Sequence, residues 1–213
     1  MPFVPKQSCC GQPAHNNGNP KEAISVAKAT ITSFETASAV VVPSASCAGM
    51  IKHHYPALFA NEPEDWQQKA QQLAAKTHEF TEYYANLTEN TPLEAEYNGR
   101  IGYHESCSAR REMKITSATK LLRKVKGSEV VDLPGNEECC GFGGLFSVKF
   151  DEISNAMVAT KTRKIQAANV DMVTGVDLGC LMNIAGKLRK EGVTTPVYHI
   201  AEILAGDLAA PSI

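Results

Sequence analysis

Cys139-Cys140-Gly141-Phe142-Gly143-Gly144 decides how this chain is read, because its first three residues occur once before, as Cys9-Cys10-Gly11. A lone cysteine follows each pair at near-equal spacing. Thirty-six residues separate Cys10 from Cys47, and thirty-nine separate Cys140 from Cys180. Beyond each lone cysteine comes a histidine beside a helical run, His78 in Thr77-His78-Glu79-Phe80 and His199 in His199-Ile200-Ala201-Glu202. Three features in one order define an internal duplication. The expected halves are residues 1–92 and 93–213, with the break at Asn90-Thr91-Pro92.

Each half reads as α/β. Val40–Val42 is a short apolar run without alternation, the pattern of a strand buried on both faces of a parallel sheet. Residues 170–174 are its counterpart, and residues 100–104 and 129–133 are two further strands leading into cysteine loops. Helices are expected over residues 21–36, 64–87, 109–126, 151–168 and 181–191. Pro20 suits a first helical position, and Gly192 a helix C-terminus. Strands alternating with helices predict mainly parallel sheets flanked by helices, with function gathered beyond the strand C-termini. The cysteines fall there, where helix N-termini stabilise thiolates.

The 213 residues are 43% hydrophobic and 21% charged, the balance of a globular chain. Twenty-one Lys+Arg against 23 Asp+Glu leave a net charge of −2, which argues against nucleic acid as a partner. No apolar run approaches the roughly 18 residues that span a bilayer. The opening MPFVPKQSCC lacks the basic and apolar regions of a signal peptide, so the expected location is cytoplasmic.

Seven cysteines, an odd count with two vicinal pairs, read in a reducing compartment as metal ligands or redox centres. Cys107, Cys139, Cys140 and Cys180 come from three loops, and four soft thiolates suit an iron–sulfur cluster or tetrahedral zinc. Zinc modules usually draw ligands from tight C-x2-4-C knuckles, whereas a cluster accepts ligands from scattered loops. Gly141-Phe142-Gly143-Gly144 would let backbone N–H groups approach inorganic sulfide, or serve simply as a turn feeding a helix. His104, three residues before Cys107, suits a ligand, a loop-orienting group or a proton carrier; a hydrogen-bonded structural role is the commoner one for it, His78 and His199. Arg110 and Arg111 could balance an anionic centre or be exposed charges.

CCGQPAHNNG, SCAGM, YHESCSARRE, CCGFGGLFSVK, GCLMNIAGKLR and HIAEILAG together resemble the cysteine-rich CCG-domain proteins, most closely the lactate-utilization A family. That family is related to the iron–sulfur subunit of glycolate oxidase and to the cysteine-rich subunit of heterodisulfide reductase. The resemblance implies an electron-transferring iron–sulfur subunit of a cytoplasmic complex oxidising L-lactate or a related 2-hydroxy acid. It also implies companion subunits, so the chain is expected to be a component of an oxidoreductase rather than a complete enzyme. The family pattern ends in C-x-x-C, where this chain has Met50 and Asn183, which favours a conventional [4Fe-4S] cluster over a five-cysteine form. By the internal repeat, the counterpart of Cys107 would fall ahead of Met1, so the first half is expected to lack one βα unit and to offer only Cys9, Cys10 and Cys47. The alternatives are a zinc-stabilised scaffold subunit and a metal-free thiol–disulfide oxidoreductase.

Overall fold

Strands whose residues are apolar on both faces must be covered on both sides, and here two parallel sheets are packed among helices. In the computed structural model, residues 7–89, 91–208 and 212–213 are described; Asn90, in the expected break, lies outside them. Contacts group the chain into two units, Met1–Phe80 and Thr81–Ile213.

In the first unit, β1 (Val40–Val42) and β2 (Thr77–Glu79) run parallel, with Val40 opposite Thr77 and Val42 opposite Glu79. Around them lie α1 (Gln12–Asn16), α2 (Pro20–Ser33), α3 (Ala45–Gly49), a π-helical turn (Met50–His54), α4 (Tyr55–Leu58) and α5 (Glu64–Ala75). Pro20 starts α2 with a φ already suited to a helix, and Ala23, Ala27, Thr30 and Ile31 form its buried stripe. Ile31, Val40, Met50, Tyr55, Phe59 and Leu73 meet in the core.

The second unit opens with α6 (Phe80–Leu87), all but its first residue. Its sheet contains β3 (Glu96–His104), β4 (Lys126–Asp132), β5 (Met172–Gly175) and β6 (Val197–His199), all parallel in the order β4-β3-β5-β6. Helices α7 (Ser117–Leu122), α8 (Phe146–Lys149), α9 (Asp151–Ala167), α10 (Leu178–Lys190) and α11 (Ile200–Ala205) complete it. Val158 and Ile165 of α9 and Leu181, Ile184 and Leu188 of α10 pack with Val173 of β5. Gly192, at φ 75°, follows the end of α10, and Val193 N–H returns to the Leu188 carbonyl at 3.0 Å.

Two expected helices are broken. Residues 64–87 divide into α5, β2 and α6. Thr77 and Glu79 point into the interior, and the Thr77 hydroxyl donates to the Leu73 carbonyl at 2.7 Å, so pairing with β1 overrides local helix preference. Residues 109–126 divide into a π-helical turn (Ser108–Glu112), a left-handed Lys114 (φ 53°) and α7. Lys126 N–H donates to the Ala95 carbonyl at 3.0 Å and opens β4, which leaves Gly127 inside a strand rather than at a helix end. Among the described residues, no helix is long and apolar enough to cross a membrane.

Leu181 is fully buried between α10 and the sheet, one residue beyond Cys180. Leu181→Ala is expected to destabilise the protein by about 2–5 kcal/mol, read from the midpoint of urea unfolding.

Candidate metal centre

Parallel strands send their C-terminal ends to one edge, and the loops leaving β3, β4 and β5 there carry the four cysteines of the second unit. Cys107 lies three residues past β3, Cys139 and Cys140 lie beyond β4, and Cys180 sits in the first turn of α10 after β5. The thiols influence one another along a row: Cys107 and Cys139 act on each other, as do Cys139 and Cys140, and Cys180 acts on Cys140. Cys140 is buried, and the other three are half-buried. The ligand atoms of His104, Cys140 and Cys180 all lie within 4.8 Å of one another.

These groups share protons unequally. Hydrogen bonds from Cys107 and Cys140, reinforced by the Gly141 N–H, pull the Cys139 thiol far below its ordinary range. Hydrogen bonding to Cys139 and burial push Cys107 up, and hydrogen bonds to Cys139 and Cys180 together with burial do the same to Cys140. The thiol set therefore gathers negative charge on Cys139. A soft metal centre would displace the protons kept by its neighbours. His104 is 1% exposed, and neither ring nitrogen has a hydrogen-bond partner. Burial, aided by the charge of Lys161, lowers its pKa to about 4. A neutral imidazole with unpartnered nitrogens beside the Cys140 and Cys180 thiols is a partial donor set of the kind a thiophilic metal takes.

Several residues hold the loops in place. Gly141 adopts φ +83°, and a Cβ there would come within 2.7 Å of the Ser154 carbonyl oxygen. That conformation turns its N–H toward Cys139 Sγ at 3.3 Å. Gly11 repeats the geometry in the first unit, with φ +84° and its N–H 3.4 Å from Cys9 Sγ. Here lies the physical meaning of the third letter in CCG. Asn183 donates from Nδ2 to the Cys140 carbonyl at 2.8 Å, and Tyr55 donates its hydroxyl to the Cys10 carbonyl at the same distance. Ser106 donates to a carboxylate oxygen of Asp177, tying the Cys107 loop to the start of α10. Asn136 brackets His104, accepting from Glu105 N–H and donating to the Tyr103 carbonyl, each at 3.0 Å.

Other expected residues separate from this group. Phe142 packs against Gly179, where a Cβ would meet its ring at 2.4 Å, so it fastens the glycine loop to α10. Gly143 and Gly144 both take positive φ and lead into α8. Arg110 faces Glu105 at 3.8 Å, and Arg111 exerts a downward pull on the Cys107 thiol that does not outweigh the neighbouring cysteine. His199 caps α11, accepting from Ala201 N–H at 3.2 Å while Glu202 accepts from its backbone N–H at 2.6 Å. His78 is not its counterpart. Val42 and Gly175 each lie five residues before their lone cysteine and pair with Glu79 and His199, so Glu79 occupies the place of His199. In the first unit Cys10 Sγ lies 3.1 Å from Cys47 Sγ, with Cys9 exposed beside them. Hydrogen bonding to Cys47 and burial raise the Cys10 thiol strongly.

Ser106, Asn136 and Asp177 carry no composition signal, because their roles depend on loops distant in sequence. Lys161 did leave a trace. It falls on the buried stripe of α9 with Ser154, Val158 and Ile165, where a lysine is out of place.

Two outcomes follow from this geometry. Gly141→Ala forces a side chain into a left-handed site against backbone and should cost at least about 1–2 kcal/mol in urea unfolding. His104 binds a proton in the unfolded chain near pH 6.5 but in the folded metal-free protein only near pH 4. Its stabilising contribution is therefore complete above pH 6.5 and falls by up to about 3 kcal/mol as the pH drops to 4. His104→Phe should remove that part of the pH dependence, as measured by unfolding at several pH values.

Comparison with known proteins agrees with these features. Residues 1–52 and 101–185 match the cysteine-rich CCG domain. The chain is 46% identical over 203 residues to lactate utilization protein A of Geobacillus sp. (strain WCH70), covering 95% of this chain and 84% of that protein. It is 44% identical over 203 residues to lactate utilization protein A of Oceanobacillus iheyensis, covering 95% and 82%. It is 40% identical over 209 residues to lactate utilization protein A 1 of Bacillus anthracis (strain CDC 684 / NRRL 3495), covering 98% and 86%. With two CCG segments, each ending its cysteine pair in a left-handed glycine, the chain belongs to the cysteine-rich CCG-domain family and is closely related to the lactate utilization A proteins.

Proposed function

We propose that Cys107, Cys139, Cys140 and Cys180 hold an iron–sulfur cluster of the [4Fe-4S] type, and that the chain is the electron-transferring subunit of a cytoplasmic complex oxidising L-lactate or a related 2-hydroxy acid. The observation that carries this reading is the meeting of the Cys140 and Cys180 thiols within 4.8 Å of an unpartnered, buried imidazole, with Cys107 and Cys139 on the adjoining loops. The substrate and the companion subunits rest on relatives named lactate utilization protein A.

Bound there, the cluster would accept and release single electrons. The protein's own groups set the conditions. Left-handed Gly141 brings its backbone N–H to Cys139 without side-chain bulk, and Asn183 and Ser106–Asp177 hold the cysteine loops in place. His104 supplies a neutral nitrogen on the buried side. In the first unit, Cys9, Cys10 and Cys47 offer three thiols, so the second site is the one expected to assemble more completely.

A second reading has its own support. The ligand atoms of His104, Cys140 and Cys180, all within 4.8 Å of one another, suit tetrahedral zinc, with Cys139 or Cys107 as fourth ligand. Anaerobic reconstitution with iron and sulfide separates the two. The expected result is a brown protein whose iron and sulfide fall to near zero in Cys139→Ser but not in Cys9→Ser. A colourless protein with stoichiometric zinc would favour the second reading, and equal losses in both variants would remove the preference for the second site.

A further inference from the structure

Lys161 is the one lysine on the buried face of α9, only 1% exposed. Its Nζ donates to the Gly135 carbonyl at 2.8 Å and to the Asn136 carbonyl at 3.5 Å. Among the described residues, no carboxylate forms an ion pair with it; Glu138, its acidic neighbour, pairs instead with Lys164. A buried ammonium without a counter-charge is costly, and carbonyl dipoles offset only part of that cost. Its charge interacts with Glu138, the Cys140 thiol and Glu137, and also acts on the ring of His104.

The position has a second mechanical consequence. Gly135 and Asn136 belong to the loop that carries β4 into Cys139, and Asn136 brackets His104 through Tyr103 and Glu105. One side chain on α9 thus anchors the approach to Cys139 and, through Asn136, the end of β3 before Cys107.

We propose that Lys161 is a positioning residue and fixed counter-cation for the thiolate-bound centre of the second unit, making the centre easier to reduce. This rests on the cluster reading above. Adding one electron places one more negative charge near the Cys140 sulfur, and a buried positive charge stabilises that product more than the oxidised form. In low dielectric such an interaction is strong and poorly screened by salt.

The test is potentiometric titration of the reconstituted protein against a viologen mediator, each reduced viologen losing one electron as the protein gains one. Lys161→Gln and Lys161→Met should shift the one-electron equilibrium at least tenfold toward the oxidised form, about 59 mV more negative. Lys161→Arg should remain near wild type, and Lys164→Gln, which removes a half-buried charge already paired with Glu138 one turn away, should shift it by less than about threefold. Neutral variants with wild-type potentials would overturn the proposal, as would an Arg variant that shifts as far as the neutral ones. If neutral variants fail to fold, wild-type protein carrying ζ-15N-lysine supplies the same test. Loading the centre should raise the pH at which Lys161 loses its proton, and an unchanged titration would overturn the role. That measurement works equally on zinc-loaded protein, so failure of the iron–sulfur reading and failure of the Lys161 role remain distinguishable.

Discussion

Everything at the candidate site depends on β3, β4 and β5 running in the same direction. Parallel pairing makes three chain segments end at one edge of the sheet, and the loops leaving that edge carry Cys107, Cys139, Cys140 and Cys180, of which Cys140 and Cys180 meet His104 within 4.8 Å. An antiparallel partner would have carried one loop to the opposite edge. Helix α10 follows directly from the last of these loops, so Cys180 lies in its first turn, at the positive end of the helix.

Geometry alone would leave four thiols crowded together with a surplus of protons and little to restrain them. The surrounding residues restrict that freedom. Left-handed Gly141 directs an N–H to Cys139, Asn183 fixes the Cys140 carbonyl, and the Ser106–Asp177 hydrogen bond joins two loops that are otherwise independent. The first unit solves the same problem with different chemistry, since Tyr55 rather than an asparagine holds the Cys10 carbonyl. Retention of the glycine conformation in both units, alongside divergence of the anchors, shows which part of the motif is dictated by backbone sterics and which by available side chains.

Much of the fold was legible because its signals are local. Val40–Val42 and the apolar residues of β5 lack alternation, and α2, α9 and α10 appear near their expected bounds, with Pro20 and Gly192 marking ends. The misreadings share one cause. β2 and the early start of β4 exist through partners distant in the chain, Val40–Val42 and the segment from Ala95, and a window of neighbouring residues cannot register them. The displaced equivalence of His78 has the same origin, because strand register rather than residue type decides which side chain faces which.

By itself the amino-acid sequence determined the duplication, the α/β class and the four cysteines of the second half, since each is written in residue identity and spacing. Tertiary structure alone decided that His104 stands buried without a hydrogen-bond partner, that Asn136 and Asp177 hold the cysteine loops, and that Lys161 points its charge inward. The division has a physical basis: covalent spacing limits which residues can meet, whereas burial, register and hydrogen bonding across long separations determine which of them do.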